Sequence, residues 1–360
     1  MANEKNNFQI QHAISKDDAG MVTVKTIPDR RQFIRTGAAA LSGAALVPAV
    51  VSCSKANSGR EEIDGSLNQT PGFYRFSLGE VEITVLSDGF FYLPSEVFAF
   101  NVDPETRGEY FHSRLIPSVR HPYQASPALI DNGNQRVLVD CGTGDFPYEV
   151  FGDDDGLLAD GLRKAGISPE SIDVVILTHA HLDHLGGLVH PESREPLFPN
   201  AEIVLSDVEL DFWTADDVES RLPNGALTML PGIQAILEVM DGRLRPIRAG
   251  DEVVSGIRSI ASPGHTHGHI AFGLEAGEKE LLFVGDAITN IHIDFEHPDW
   301  HFAIDLEPET AGNTRRRLLD MAATDGMLIL GYHFPFPGLG YALRHEEAWR
   351  WYPAGWTVLP

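Results

Sequence analysis

Four short apolar runs in this chain each end a few residues before a histidine or an aspartate, and the first ends before four such side chains. Ile172-Asp173-Val174-Val175-Ile176-Leu177 leads through Thr178 into His179, His181, Asp183 and His184. Residues Ile257 to Ile260 lead through Pro263-Gly264 into His265, Leu281 to Val284 through Gly285 into Asp286, and Met327 to Leu330 through Gly331-Tyr332 into His333. A short β-branched run bounded by turn residues reads as a buried strand. Strand ends are rigid while the loops beyond them turn inward, so donors carried there can meet without the strands moving. Neutral imidazole nitrogen and carboxylate oxygen are the donors that zinc and other borderline divalent ions accept. A histidine-rich surface loop would need no such anchor, so the seven residues are read as one shared site for two divalent metal ions.

The rest of the chain predicts an α/β class. Glycine beside three of the donors suits backbone that turns sharply. Val81 to Leu86, Ser126 to Ile130 and Arg136 to Asp140 read as further strands. Helices are expected over Asp155 to Ala165 and the arginine-rich Pro308 to Ala323, giving an α/β sandwich. There is no repeat of fixed period. With 360 residues, 43% of them apolar, the chain can bury a large core. Its net charge of -25 repels polyanions at long range, which makes nucleic acid a poor partner.

The N-terminus has export-signal architecture over residues 1–53. Asp29-Arg30-Arg31-Gln32-Phe33-Ile34-Arg35 precedes a mild apolar stretch from Gly37 to Ser52, too short and too rich in glycine for a stable membrane span. It resembles a twin-arginine signal, with Asp29 where Ser or Thr is commoner. Val50-Val51-Ser52-Cys53 resembles a lipoprotein box in which Cys53 is lipidated; ordinary cleavage nearby is the alternative. The expectation is an exported protein, free in the periplasm or lipid-anchored to the cell envelope, touching membrane only through that anchor. Residues 54–70 are polar and read as a tether, with the catalytic domain over 71–360. Cys53 is then committed and Cys141 stands alone, so no intramolecular disulfide is expected.

The HxHxDH block at 179 to 184, Pro263-Gly264-His265-Thr266, Gly285-Asp286 and Gly331-Tyr332-His333 together resemble the metallo-β-lactamase superfamily, over about residues 73 to 345. Gly72-Phe73-Tyr74-Arg75-Phe76, Leu86-Ser87-Asp88-Gly89 and Tyr332-His333-Phe334-Pro335-Phe336-Pro337-Gly338 look most like its methyl parathion hydrolase and N-acyl homoserine lactone lactonase group. The resemblance implies an αββα sandwich with a dinuclear site on one edge. It assigns His179, His181 and His265 to one metal, Asp183, His184 and His333 to the other, and Asp286 to a bridge. His267 departs from the family, which usually has proline there; it is expected to be exposed or behind the ligands. His269 is expected to be a structural hydrogen-bonder. Asp88 and Asp140 stand where relatives orient ligand histidines; buried turn-capping aspartates are the equal alternative. Cys141 reads as a small buried side chain, and His292, His297 and His301 as loop histidines.

The resemblance further implies a hydrolase in which a metal-bridging hydroxide attacks a lactone or ester and Asp183 passes a proton to the leaving group. An organophosphate triester is the alternative substrate, and a mononuclear iron persulfide dioxygenase the more distant alternative. The metals are expected to be zinc, with manganese or iron as alternatives, since nitrogen and oxygen donors alone do not decide among them. Phe98, Phe100, Phe212, Trp213 and Trp300 are candidates for an apolar substrate pocket, with Phe100, Trp213 and Trp300 preferred. A homodimer is what related enzymes imply.

Overall fold

A computed structural model describes residues 72–144, 151–152, 154–190 and 193–355; the expected signal and tether, residues 1–70, lie outside them. The strands are β1 (Phe73–Leu78), β2 (Val81–Leu86), β3 (Gly89–Pro94), β4 (Arg120–Ala125), β5 (Ala128–Asp131), β6 (Arg136–Val139), β7 (Val174–Ile176) and β8 (Glu202–Ser206) in the first half. They are followed by β9 (Leu244–Ile247), β10 (Glu252–Val254), β11 (Ile257–Ala261), β12 (Ile270–Ala276), β13 (Lys279–Phe283), β14 (Leu328–Leu330), β15 (Leu339–His345) and β16 (Ala348–Pro353). Two seven-stranded sheets result, ordered β1-β2-β5-β6-β7-β8-β9 and β10-β11-β12-β13-β14-β15-β16.

Alternation along each strand explains why the sheets stack. Val137, Val139, Val174 and Ile176 share one apolar cluster with Leu281, Phe283, Leu328 and Leu330 of the other sheet. Their neighbours point the opposite way: Leu138 and Val175 pack with Leu158, Leu162, Ile233 and Leu237 from the helices Leu158–Ala165 and Leu230–Met240. Leu282 and Ile329 pack with Leu318, Leu319 and Ala322 of the helix Pro308–Asp325. Strands apolar on both faces belong inside a layered fold, and helix, sheet, sheet, helix is the αββα order expected.

The inner strands place the donors. β6, β7, β8 and β9 run parallel, as do β13 and β14. His179 follows β7, His265 follows β11, Asp286 follows β13 and His333 follows β14. The loop carrying His265 fits only because residue 264 is glycine. Its φ is +133°, and a Cβ there would lie 2.2 Å from the backbone nitrogen of Ala311 in the helix Pro308–Asp325.

A two-stranded ribbon of β3 and β4 stands apart from both sheets. It carries Phe91, Leu93 and Tyr123 into a fourth apolar cluster with Phe98, Ile293 and Phe302. Among the described residues no helix is long and apolar enough to cross a membrane.

Candidate metal centre

The seven donors converge. His181 precedes a short helix, Leu182–Leu185, whose turn presents Asp183 and His184 to the same side; Asp286 sits in a tight turn, Gly285–Ala287. His181 Nδ1 lies 3.0 Å from His179 Nε2 and 2.9 Å from His265 Nε2. His184 Nε2 and His333 Nε2 approach Asp286 Oδ1 at 3.1 and 2.9 Å and Asp183 Oδ2 at 3.6 and 3.5 Å. His265 Nε2 is 3.3 Å from the other oxygen of Asp286, which therefore reaches both groups. The histidines and Asp286 are buried, while Asp183 keeps 13% of its side chain open.

Hydrogen bonding alone does not satisfy this arrangement. His184 Nε2, His333 Nε2 and Asp286 Oδ1 converge and are buried without a hydrogen-bond partner. Each orphaned buried polar atom costs about 1–3 kcal/mol, and several facing one point are what a cation satisfies. Burial and the other imidazoles hold His179 and His181 well below the usual histidine range, so their lone pairs are free to coordinate. Burial also pulls His184 and His265 down, but Asp286 and the carboxylates behind them outweigh it and push both up. Burial opposes ionisation of Asp286, yet His333, His184 and His265 hold it well below the usual carboxylate range.

For four of the five histidines the far ring nitrogen is pinned from behind, which aims the near one inward. His184 Nδ1 meets Asp140 Oδ2 at 2.9 Å, and His265 Nδ1 meets Asp305 Oδ1 at 2.9 Å. His333 Nδ1 donates to the Gln124 carbonyl at 2.6 Å, and His179 Nδ1 pairs with the Thr178 hydroxyl at 3.1 Å. Asp140 also accepts from the Thr178 backbone N–H and holds a left-handed φ of +54°, so its orienting role is built into the backbone. Asp88 takes the alternative role: it accepts from Thr143 and the Leu158 N–H and touches none of the seven donors. His269 is the expected hydrogen-bonder, between Ser262 Oγ at 2.8 Å and the Asp286 N–H at 3.0 Å. His267 faces Glu307 at 3.3 Å, away from the donors, and Cys141 is buried against the His184 carbonyl.

Over this floor opens a cavity of about 420 Å³. Its walls include Phe91, Leu93, Phe151, Met229, Phe302 and Ile304, and His181, Asp183, His265 and Asp286 reach it from below. The pocket expectation needs correction, because Phe100, Trp213 and Trp300 do not line this cavity. Phe100 is 65% exposed and points to solvent. Trp213 is fully buried behind His181, its indole N–H donated to Glu209. Trp300 stacks on His297 at 3.9 Å and edge-on to Tyr110. Phe98 and Phe212 are buried core residues. Aromatic type is a correct guide to the wall and a poor guide to which aromatics, since Phe91 comes from the β3–β4 ribbon and Phe151 and Phe302 from loops, none of which has a periodic signature long enough to place it.

Sequence reasoning also missed Asp305, Glu209 and Tyr123, which sit in no recognisable motif. The Tyr123 ring stacks on His333 at 3.6 Å and its hydroxyl lies 3.4 Å from Asp286 Oδ2.

This fold and donor set are those of a known class, and the chain belongs to the metallo-beta-lactamase superfamily, whose family profile matches residues 121–333. Among solved structures it resembles AidC, a dizinc quorum-quenching lactonase, with a TM-score of 0.73 and 28% identity over 80% of this chain and 99% of AidC. It resembles the hydrolase AbOPH at the same TM-score, with 26% identity over 81% of this chain and 100% of AbOPH. Ribonuclease TTHA0252 of Thermus thermophilus is 30% identical over 190 residues, 48% of this chain but 37% of that protein. N-acyl homoserine lactonase of Bacillus thuringiensis is 23% identical over 194 residues, 53% of this chain and 64% of that enzyme. The match thus spans well under half of the ribonuclease.

Proposed function

We propose that this chain is a dinuclear-metal-dependent hydrolase acting on a small, largely apolar lactone or ester. The observation that carries the reading is the meeting of seven imidazole and carboxylate donors beneath an apolar cavity. His179, His181 and His265 would hold one divalent ion and Asp183, His184 and His333 the other, with Asp286 in reach of both. When bound, the ions would supply Lewis acidity toward the substrate oxygen and a water acidic enough to ionise near neutral pH. Seven donors in triads that overlap through His179 and His184 are more than a single iron needs, which favours two ions.

The chain's own residues do the rest. Asp183 reaches the cavity with an open carboxylate, placed to carry a proton to the leaving oxygen. Burial and the flanking Asp286 and Asp183 push the Tyr123 hydroxyl well above its ordinary range, so it stays an O–H donor that a developing oxyanion can use. Phe91, Phe151 and Phe302 exclude water and offer an acyl chain or aryl group a dry wall. Those three rings keep an aryl phosphotriester as the second reading. The Arg30-Arg31 pattern supports an exported protein.

The test combines elemental analysis with one panel of acyl homoserine lactones, aryl esters, aryl phosphotriesters and a chromogenic β-lactam, before and after chelation. Two metals per chain and turnover of a lactone or ester that chelation abolishes are expected. One iron per chain, or turnover indifferent to chelation, would overturn the reading.

A further inference from the structure

Glu209 is a fully buried carboxylate on the helix Asp207–Trp213, outside the seven donors and outside the cavity. Each of its oxygens serves a different donor-bearing loop. Oε1 accepts the backbone N–H of Ala180, between His179 and His181, at 3.0 Å, and the Trp213 indole N–H at 2.7 Å. Oε2 accepts the Thr266 hydroxyl at 2.7 Å and the Gly268 N–H at 3.0 Å, in the loop that carries His265. The fit is close: a Cβ on residue 268 would lie 2.2 Å from the Glu209 backbone nitrogen, so the loop can approach only as glycine. Trp213, held by the same carboxylate, packs edge-on against the His181 ring at 5.8 Å.

We infer that Glu209 is a positioning residue for one metal site: its carboxylate is the spacer that sets His179 and His181 at binding distance from His265. No contact links it to Asp183, His184 or His333, the other donor group, among the contacts described. Four hydrogen bonds accepted by one carboxylate fix both loops at once, and a loop freed at either oxygen lets the three imidazoles drift apart. An amide in its place keeps one accepting oxygen and turns an N–H₂ toward donors, so one loop is released. The inference rests on the reading of the three histidines as a metal site.

Zinc binding decides it, read by chelator-competition titration of the full-length protein, with thermal unfolding of the metal-free form alongside. The parent should bind two zinc ions. In Glu209→Gln one dissociation constant should rise about ten- to a hundredfold while the other stays within twofold. Thr266→Val removes a single hydrogen bond to the same oxygen without changing shape, and should weaken the same ion by a smaller factor; it decides the matter if Glu209→Gln fails to fold. Unchanged affinities, or both weakened alike as a general loosening would give, overturn the inference while leaving the metal site intact. A parent that binds no zinc overturns the underlying reading instead.

Discussion

At the residue scale, the centre depends as much on what stands behind each imidazole as on the imidazole itself. Asp305 is fully buried, with one oxygen on His265 Nδ1 and the other 3.5 Å from the guanidinium of Arg315, itself buried. Asp305→Asn keeps the shape and loses the charge, so zinc affinity should fall about ten- to a hundredfold, measured against a chelator. Asp286→Ala should lose metal and turnover together. His121 offers a test away from the centre. Burial, with His292 nearby, lowers it to about 4, and its Nδ1 is buried without a partner. The fold therefore keeps it neutral, while the unfolded chain binds a proton below about 6.5. Stability from this group is present above that value and is lost as pH falls through about 4, amounting to at most about 3 kcal/mol. His121→Phe, which keeps the edge contact with Phe98, should flatten that part of the melting-temperature profile between pH 4 and 6.5. A parallel loss in both proteins would refute the assignment.

At the scale of elements, what the sequence made legible was whatever had an apolar period ending in a donor. β7, β11, β13 and β14 fall within a residue or two of their expected bounds, and the helix expected from Pro308 runs to Asp325. The helix expected from Asp155 begins at Leu158 because Asp155 turns its side chain back to the Gly152 N–H. The β3–β4 ribbon escaped notice: its strands pair only with each other, and although burial alternates along them, the residue types do not, with Phe90 and Tyr92 apolar on the outer face and Arg120, His121 and Pro122 opening β4. Asp305 and Glu209 were illegible for a different reason, since a buried carboxylate looks like a surface one until its donors are known. Glycines separate by what stands beside them. Gly264→Ala should cost roughly 3 kcal/mol or more, from its φ and the clash with Ala311, read as a lower denaturant midpoint. Gly108 lies in the helix Pro104–Arg114 with open space around it, so Gly108→Ala should instead stabilise by about 0.5–1 kcal/mol.

At the scale of the whole molecule, the tips of two stacked sheets carry buried ionisable groups that converge on one site. Binding of divalent ions to the folded form alone adds stability, about 4 kcal/mol at a thousandfold excess over the dissociation constant. For a domain of this size that is on the order of 10 °C in melting temperature, so chelation should lower the transition by about that much and zinc should restore it. Scanning calorimetry with and without chelator measures it; an unchanged transition would mean the donors hold nothing that matters to folding.

The walls and the floor of the cavity come from different stretches of chain. Phe91 and Leu93 belong to the ribbon, Met229 and Phe302 to loops beyond it, whereas the floor hangs from strand tips inside the two sheets. Such a division lets one part drift through evolution while the other is held still: substitutions around the rim can admit a new acyl or aryl group without unsettling the ions that would break its bond.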